Sequence, residues 1–190
     1  MKKDNQQKKI KAGSLLISEP FIQDDNFKRT VVLITDHLES EGSVGFVINK
    51  KSDVTIEELV EEFEDFYAEV YFGGPVSTNT LHYIHNLGDL IEGSVKVSQG
   101  VYWGGDFEKL KFLVETKLVQ PENIKFFLGY SGWSDGQLKE EIDEGSWIIS
   151  EMDANYLFKL KPESLWKEVL ENKGENFIAI AQIPGDQILN

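Results

Sequence analysis

The hydrophobic pattern of residues 13–50 predicts three β-strands at the centre of a sheet. Apolar runs occur in GSLLIS (13–18), TVVLITDH (30–37) and SVGFVINK (43–50), and polar turn-forming segments separate them. The segment LESEG joins the second run to the third, so residues 30–50 are expected to form a hairpin. Because the apolar stretches are continuous, we expect both faces of these strands to be buried.

The next segment, TIEELVEEFEDFYAE (55–69), has the pattern of an amphipathic helix. Its apolar residues recur at helical spacing, and seven carboxylates occupy the positions between them. Ser52 or Asp53 is a suitable N-cap for this helix. We therefore predict a helix that packs one face on the sheet and turns an acidic face to solvent.

The remaining pattern interleaves strands and helices without a regular repeat. LHYIHNL (81–87) is compatible with either a strand or a helix. Further strands are predicted in EVYFGG, SVKVSQGVYW, NIKFFLGY and SWIISEM, and helices in DFEKLKFLVETKL, DGQLKEEI and PESLWKEVLENKG. The fold class expected is α+β, a single domain with a large mixed β-sheet covered by helices. We place this domain at residues 12–190 and a disordered basic tail at residues 1–11.

Charge and composition narrow the classes of function. The net charge is −14, and because residues 1–11 hold five lysines against Asp4, the other 179 residues carry 14 basic and 32 acidic side chains. A body this acidic repels nucleic-acid phosphates, which disfavours direct nucleic-acid binding. No apolar run reaches the about 18 residues that span a bilayer, so we expect a cytoplasmic protein without membrane attachment. The absence of cysteine excludes disulfides, thiolate metal sites and a cysteine nucleophile.

The stretch GYSGW (129–133) raises the question of a serine nucleophile. An α/β-hydrolase elbow requires G-x-S-x-G, but Trp133 stands where the second glycine belongs, and all three histidines precede Ser131. We therefore predict a structural turn, in which Trp133 packs on the sheet and the following helix is capped by Ser134 or Asp135. A catalytic pair of His37 with Ser131 stays open as an alternative, because other folds use other residue orders.

Other polar residues give weaker signals. The glycine pairs in YFGGPV (71–76) and VYWGGDF (101–107) fit no nucleotide-binding fingerprint, although such turns can present N–H groups to an anion. Arg29 is the only arginine and is expected to pair with Asp24 or Asp25. His82 and His85 form an H-x-x-H spacing without a third ligand, so neither a metal nor a cofactor is expected. The candidate binding residues are Arg29, His37, Asn49, Gly73, Gly74, Ser131 and Trp133.

As a set, several segments resemble the YqgE/AlgH family of small bacterial proteins. They are GSLLISEP, FKRTVVLITDH, GSVGFVINK, FGGPV and FFLGYSGWSDGQLKEEI followed by GSWII, and they cover about three quarters of the chain. The resemblance implies a single α+β domain with a large mixed sheet. It implies no particular reaction, since the family has no established activity, although some members carry the label of transcriptional regulator. The chain differs in its lysine-rich tail and in the segment after Asp153, which resembles an elaboration of this chain alone.

Two hypotheses of function follow from the sequence. The first is a non-catalytic accessory or regulatory protein that acts through a protein partner or a small ligand, and on DNA only indirectly. The alternative is a small-molecule-binding protein or enzyme that uses the glycine-rich turns with Arg29, His37 and Ser131, which would then have to converge in one cleft. The sequence does not determine the oligomeric state.

Overall fold

The computed structural model of the protein describes residues 9–184, which contain ten β-strands and six α-helices. The strands are β1 (Ser14–Ser18), β2 (Val31–Leu38), β3 (Gly42–Val47), β4 (Lys51–Thr55), β5 (Glu69–Phe72), β6 (Val76–His85), β7 (Val95–Ser98), β8 (Val101–Trp103), β9 (Ile124–Trp133) and β10 (Trp147–Glu151). The helices are α1 (Ile56–Leu59), α2 (Phe107–Glu115), α3 (Gln137–Glu144), α4 (Ala154–Phe158), α5 (Pro162–Lys173) and α6 (Glu175–Ala181). The basic tail and the domain boundary stay predictions, because residues 1–8 lie outside the described part.

The strands form one large sheet in the order β10-β1-β2-β3-β9-β6-β8-β7, and β5 lies beside β9 and also pairs with β4. Neighbouring strands are antiparallel except for the parallel pair of β5 and β9. The predicted α+β fold with a large mixed sheet is therefore confirmed. The hairpin predicted for residues 30–50 is the antiparallel pair of β2 and β3.

Both faces of the first half of the sheet are buried, as the continuous apolar runs predicted. Leu15 and Ile17 belong to a core that also holds residues of α4, α5 and α6, whereas Leu16 between them belongs to a core on the opposite face, under α3. This alternation is the period of two that a strand imposes on its side chains. Around β5, β6 and β9, a third core packs against α1 and α2. Helices thus cover the sheet on both sides.

The turn between β5 and β6 passes between β3 and β9 at very close range. The N–H of Gly73 donates to Leu128 of β9, and the carbonyl of Gly73 accepts from Val47 at the end of β3. A Cβ added at Gly73 would lie 2.3 Å from the carbonyl oxygen of Gly129, and one at Gly74 would lie 2.3 Å from the carbonyl carbon of Tyr130. Only residues without a side chain fit here, so Gly73, Gly74 and Gly129 serve this backbone crossing.

The prediction of one long acidic helix over residues 55–69 is wrong. Residues 51–55 form β4, α1 covers only residues 56–59, and a 3-10 turn follows at Glu61–Phe63. Val60 ends α1 because its backbone is extended, with φ −133°. The N-cap is Thr55, whose N–H and hydroxyl both donate to the Glu58 carboxylate, and neither Ser52 nor Asp53 has that role. Most apolar residues of the segment are still buried, but Leu59 and Tyr67 are exposed. The pairing of β4 with β5 overrides the helical pattern.

The turn predicted for GYSGW is also wrong. Strand β9 continues through Trp133, because residues 131–133 pair with residues 43–45 of β3. Gly129 has φ +67° and marks an irregular point inside the strand. The chain leaves the sheet only after Trp133, and the N-cap of α3 is Gly136. The predicted contact of Ser134 with Gln137 exists, with the Gln137 side-chain oxygen accepting from the Ser134 N–H at 3.0 Å.

The crossing predicts a large difference between two glycine substitutions. Gly73→Ala keeps an ordinary φ but forces a Cβ against a backbone oxygen, so we expect it to lower the free energy of unfolding by about 3 kcal/mol or more. Gly145→Ala is the matched control, since its φ of +91° is strained for alanine but no atom lies within 4 Å of the added Cβ. It should cost about 1 kcal/mol. Denaturant unfolding measures both, and equal costs would contradict a tight crossing.

Candidate functional site

Two pockets lie at the tip of the β2–β3 hairpin, one on each side of it. The pocket between the hairpin and α3, here the helix pocket, has a volume of about 650 Å³. The pocket on the other side, here the strand pocket, has a volume of about 430 Å³ and is bounded by β3, β6 and β9. Leu38, Gly42 and Ser43 contribute to both, so the hairpin tip is their common wall.

A β-bulge in β2 decides which side chains enter which pocket. Ile34 pairs with Gly45 and Asp36 pairs with Val44, so Thr35 is an extra residue on this strand. The bulge reverses the alternation of side chains beyond it. His37 therefore lies on the same face as Ile34, towards α3, and lines the helix pocket, whereas Asp36 lines the strand pocket.

The helix pocket has an apolar floor and one polar pair in its wall. The imidazole Nδ1 of His37 is hydrogen-bonded to the hydroxyl of Ser43 at 2.8 Å, across the β2–β3 pair. Leu138 and Ile149 below the pocket belong to the core under α3. The apolar lining consists of Ile10, Leu38, Leu138, Ile142 and Ile149. A pocket of this kind suits a ligand with an apolar body and a polar group.

Two ion pairs lie at the rim of the helix pocket. The ammonium of Lys9 is 2.7 Å from the carboxylate of Glu39, and that of Lys139 is 3.2 Å from Asp143. The hydrogen bond to Glu39 raises the pKa of Lys9, and the same bond lowers the pKa of Glu39. These four charges are exposed and already paired with each other, and Asp135 is the one further charged residue of the lining, so the rim presents little net charge to a ligand.

A single carboxylate fixes α3 to the sheet. Glu141 Oε2 accepts from the indole N–H of Trp133 at 2.9 Å and from that of Trp147 at 2.7 Å. Glu141 Oε1 accepts from the Gln137 amide at 3.0 Å. Phe27 packs edge-on to Trp147, with ring centroids 5.3 Å apart. We refer to this arrangement as the Glu141 clamp; sequence reasoning missed it because no local spacing indicates that two tryptophans share one carboxylate.

Ser131 is not placed to act as a nucleophile. It has no exposed surface, and its hydroxyl donates to the carbonyl of Gly73 at 3.1 Å. His37 is hydrogen-bonded to Ser43 instead. The hydroxyl is used as a hydrogen-bond donor to the backbone where β5, β6 and β9 meet. A nucleophile at Ser131 is therefore excluded in this conformation. Trp133, predicted to pack on the sheet, is buried there as expected.

Arg29 anchors the C-terminal helices to the sheet. Its guanidinium donates to the carbonyl oxygen of Ile183 and lies over the ring of Trp166, 4.6 Å from the centroid. The ion pair expected with Asp24 or Asp25 is not formed. The interaction is a cation–π contact together with a hydrogen bond to the backbone, which gives Arg29 a structural role.

Asn49 also has a structural role, and it lies far from the pockets. Its side-chain oxygen accepts from the Val31 N–H at 2.9 Å and its amide donates to the Arg29 carbonyl at 2.8 Å. Arg29 and Asn49 lie at the start of β2, whereas His37 lies near its end, about 20 Å away along the strand. The candidate residues therefore do not converge in one cleft. Of them, His37 lines the helix pocket and Trp133 lines the strand pocket, but the indole N–H of Trp133 is bonded to Glu141.

The two other histidines are on opposite faces of β6, since residues 81–85 of LHYIHNL belong to this strand. His82 Nε2 lies 2.9 Å from the Thr80 hydroxyl. The fully buried His85 accepts from the Leu87 N–H at Nδ1, and its Nε2 lies 3.0 Å from the Gly104 carbonyl. Burial lowers the pKa of both histidines. Within residues 9–184 no group of three or more histidine, aspartate or glutamate side chains has the arrangement of a metal site.

A second polar cluster joins β4, β5 and β9 away from the pockets. The Glu69 carboxylate accepts from Lys51, from the Tyr71 hydroxyl and, at 3.2 Å, from Lys125. Partial burial acts to raise the pKa of Glu69, but the hydrogen bonds from Lys51, Tyr71 and Lys125 lower it to about 2. The cluster holds the carboxylate ionised and links three strands, which accounts for its residues without a ligand.

Comparison with known proteins identifies the family. A family model described as AlgH-like (DUF179) matches residues 15–178. The chain belongs to the AlgH-like family. A UPF0301 protein of Chlorobium phaeobacteroides is 40% identical over 180 residues, which cover 95% of this chain and 96% of that protein. A UPF0301 protein of Chlorobaculum parvum is 39% identical over 181 residues, with 95% and 96% covered.

Solved structures of two proteins resemble this AlgH-like chain. The solution structure of the AlgH protein from Pseudomonas aeruginosa has a TM-score of 0.71 and 26% identity, over 91% of this chain and 94% of that one. The crystal structure of protein DIP2367 from Corynebacterium diphtheriae has a TM-score of 0.78 over 96% and 100% of the two chains, and at 17% identity it shows the fold alone.

The comparisons correct one expectation about this AlgH-like chain. We expected the segment after Asp153 to be an elaboration of this chain, but the family model extends to residue 178 and the relatives align over 95% of the chain. Most of α4, α5 and α6 is therefore common to the family. No helix in the described part of the chain has the length and apolar character needed to cross a membrane.

The Glu141 clamp predicts that replacing Glu141 lowers the free energy of unfolding strongly, whereas replacing its neighbour Glu140 hardly changes it. Glu141→Leu leaves two indole N–H groups without this acceptor, so we expect the free energy of unfolding to fall by about 2–4 kcal/mol. Glu140→Leu changes an exposed residue of the same helix and should stay within about 0.5 kcal/mol of the parent. Urea unfolding measures both variants. Similar values for the two would mean that the clamp contributes little.

Burial of Ser131 predicts that a fluorophosphonate probe does not label the folded protein. Ser131→Ala should cost about 1 kcal/mol, because the Gly73 carbonyl keeps its bond from the Val47 N–H. Labelling is read by mass spectrometry beside a serine hydrolase as a positive control. Labelling of the native protein that disappears in Ser131→Ala would establish the nucleophile that the geometry excludes.

Proposed function

We propose that this AlgH-like protein is a non-catalytic accessory or regulatory protein that binds a small ligand in the helix pocket. The observation that carries the proposal is the pocket itself, about 650 Å³ of space with an apolar floor and the hydrogen-bonded pair of His37 and Ser43 in its wall. Concave, largely apolar sites with a few polar groups are the usual form of small-molecule sites.

The walls of the helix pocket are fixed before any ligand arrives. The Glu141 clamp ties α3 to Trp133 and Trp147, and the pairing of β2 with β3 fixes the hairpin. A preformed pocket loses little conformational entropy on binding, so more of the contact energy appears as affinity. This rigidity supports the proposal that a ligand binds between α3 and the β2–β3 hairpin.

Binding without turnover is favoured because the polar candidates are used elsewhere. Ser131 is bonded within the backbone crossing, and Arg29 holds the C-terminal helices. His37 is bonded to the Ser43 hydroxyl, but among the described residues no carboxylate is hydrogen-bonded to its other ring nitrogen, so the third member of a catalytic triad is missing. The alternative enzyme built from Arg29, His37 and Ser131 is therefore not the function that we propose.

The lining indicates the kind of ligand. Because the rim lysines are already paired with Glu39 and Asp143, a strongly charged ligand would have to displace these ion pairs. An apolar body gains about 25 cal/mol for each Å² that it buries on the floor. We therefore expect a small amphipathic molecule whose polar group meets His37 and Ser43. A regulatory effect on DNA would then pass through a protein partner, since the acidic body disfavours direct contact.

A thermal-shift panel of small amphipathic probes, such as indole, octanol and octanoate, tests the proposal. A probe that binds the folded protein should raise its melting temperature by mass action. Ile142→Trp places a larger side chain from the pocket wall into the space and should abolish the shift. The matched control is Glu140→Trp on the same helix, which lies outside the lining and should leave the shift unchanged.

Two results would contradict the proposed function. A shift that is equal in Ile142→Trp and in the parent would place binding outside the helix pocket. Chemical conversion of a bound probe, detected by mass spectrometry and lost in His37→Ala, would show that the protein is catalytic.

A further inference from the structure

The strand pocket has a different chemistry from the helix pocket. Asp36 and Glu41 are the only charged side chains in its lining, and both are carboxylates. Both residues are exposed, and in the described part of the chain neither carboxylate has a hydrogen bond or an ion pair. In contrast to the rim of the helix pocket, the negative charge here is not neutralised by a neighbouring lysine.

The remaining wall of the strand pocket is apolar and aromatic. Val44 and Val76 lie on either side of the half-buried Tyr130, whose ring packs edge-on to His82 at a centroid distance of 5.9 Å. Val76 pairs with Tyr130 across β6 and β9, so both are held by the sheet. The carboxylates thus lie beside a surface that accepts hydrocarbon and an aromatic face.

Gly132 keeps this pocket open. It has no positive φ, so the backbone does not require glycine at this position. A Cβ added there would lie 3.3 Å from the Tyr130 ring and 3.8 Å from the Val76 side chain. Any side chain at position 132 would therefore extend into the space between two lining residues.

From these features we propose that the strand pocket binds a small primary alkylamine. The ammonium group would be held by Asp36 and Glu41 through charge-assisted hydrogen bonds, and the alkyl stem would lie on Val44, Val76 and the Tyr130 ring. An anion is disfavoured by the two carboxylates. A divalent metal is disfavoured because it needs more oxygen ligands than two side chains supply.

This site is separate from the helix pocket although the two share the hairpin tip. Asp36, Glu41 and Tyr130 do not line the helix pocket, and His37 does not line the strand pocket. The alternation of strand side chains places Asp36 and His37 on opposite faces, and the bulge at Thr35 decides that Asp36 takes the face of the strand pocket. The amine site can therefore exist whether or not the helix pocket binds a ligand.

An NMR titration with n-pentylamine, 1-pentanol and pentanoate tests the site, since the three probes share their stem and differ in the head group. We expect the amine to shift the backbone amides of Asp36, Val44 and Gly132, with a dissociation constant about tenfold below that of the alcohol. Pentanoate should not bind there. Raising the ionic strength should weaken binding of the amine and leave binding of the alcohol unchanged.

Three variants separate the proposal from non-specific attraction to an acidic protein. The double variant Asp36→Asn/Glu41→Gln should bind the amine with about tenfold lower affinity. Asp89→Asn/Glu92→Gln removes the same charge from two exposed residues elsewhere and should leave the affinity unchanged. Gly132→Val fills the pocket with both carboxylates intact and should abolish binding of the amine and the alcohol.

Several outcomes would overturn the amine site. The first is an equal affinity of the parent protein for the amine and the alcohol. The second is an equal loss of amine affinity in the two charge variants. The third is displacement of the amine by millimolar calcium. Thermal melting shows whether each variant is folded. If Gly132→Val does not fold, the comparison of the two charge variants still decides, because both keep exposed polar side chains of nearly unchanged size.

Discussion

The backbone contact between Gly73–Gly74 and Gly129–Ser131 determines how the whole sheet is assembled. At this point the end of β5 bonds to β3 on one side and to β9 on the other, with distances that leave no room for a Cβ. Because this approach is possible, β9 can pair with β5 along its first part and with β3 along its last part. The buried hydroxyl of Ser131 satisfies the Gly73 carbonyl at the crossing, so a residue with the appearance of a nucleophile is part of the frame.

The hairpin tip depends on this frame, and both pockets depend on the hairpin tip. Pairing with the last residues of β9 holds β3 in place, and the bulge at Thr35 then decides which face of the sheet Asp36 takes and which His37 takes. On one face the Glu141 clamp positions α3 as the wall of a pocket whose rim charges are paired. On the other face Asp36 and Glu41 stay without partners among the described residues. One strand pair therefore separates two sites of different chemistry.

The AlgH-like family shares this architecture over nearly the whole chain, including the C-terminal helices. Those helices close the inner core, where the Trp166 indole donates to the Ser18 carbonyl at 3.0 Å and Arg29 stacks on the same ring. A fold stabilised this way can leave the hairpin tip free for binding, since the core does not use His37 or Asp36. The proposed roles therefore belong to side chains that the fold itself does not require.

The sequence determined the features that depend on local patterns. Continuous apolar runs predicted strands buried on both faces, and Pro162 and Gly174 marked the two ends of α5. The sequence also placed His37 among the candidates. Only the tertiary structure decided that residues 51–55 pair with β5 and that the helix after them ends at Leu59. It also decided that Gly129 of β9 marks a crossing and not a turn. The physical reason is that glycine permits both a turn and a close backbone approach, and only the neighbouring strand, remote in sequence, selects between them.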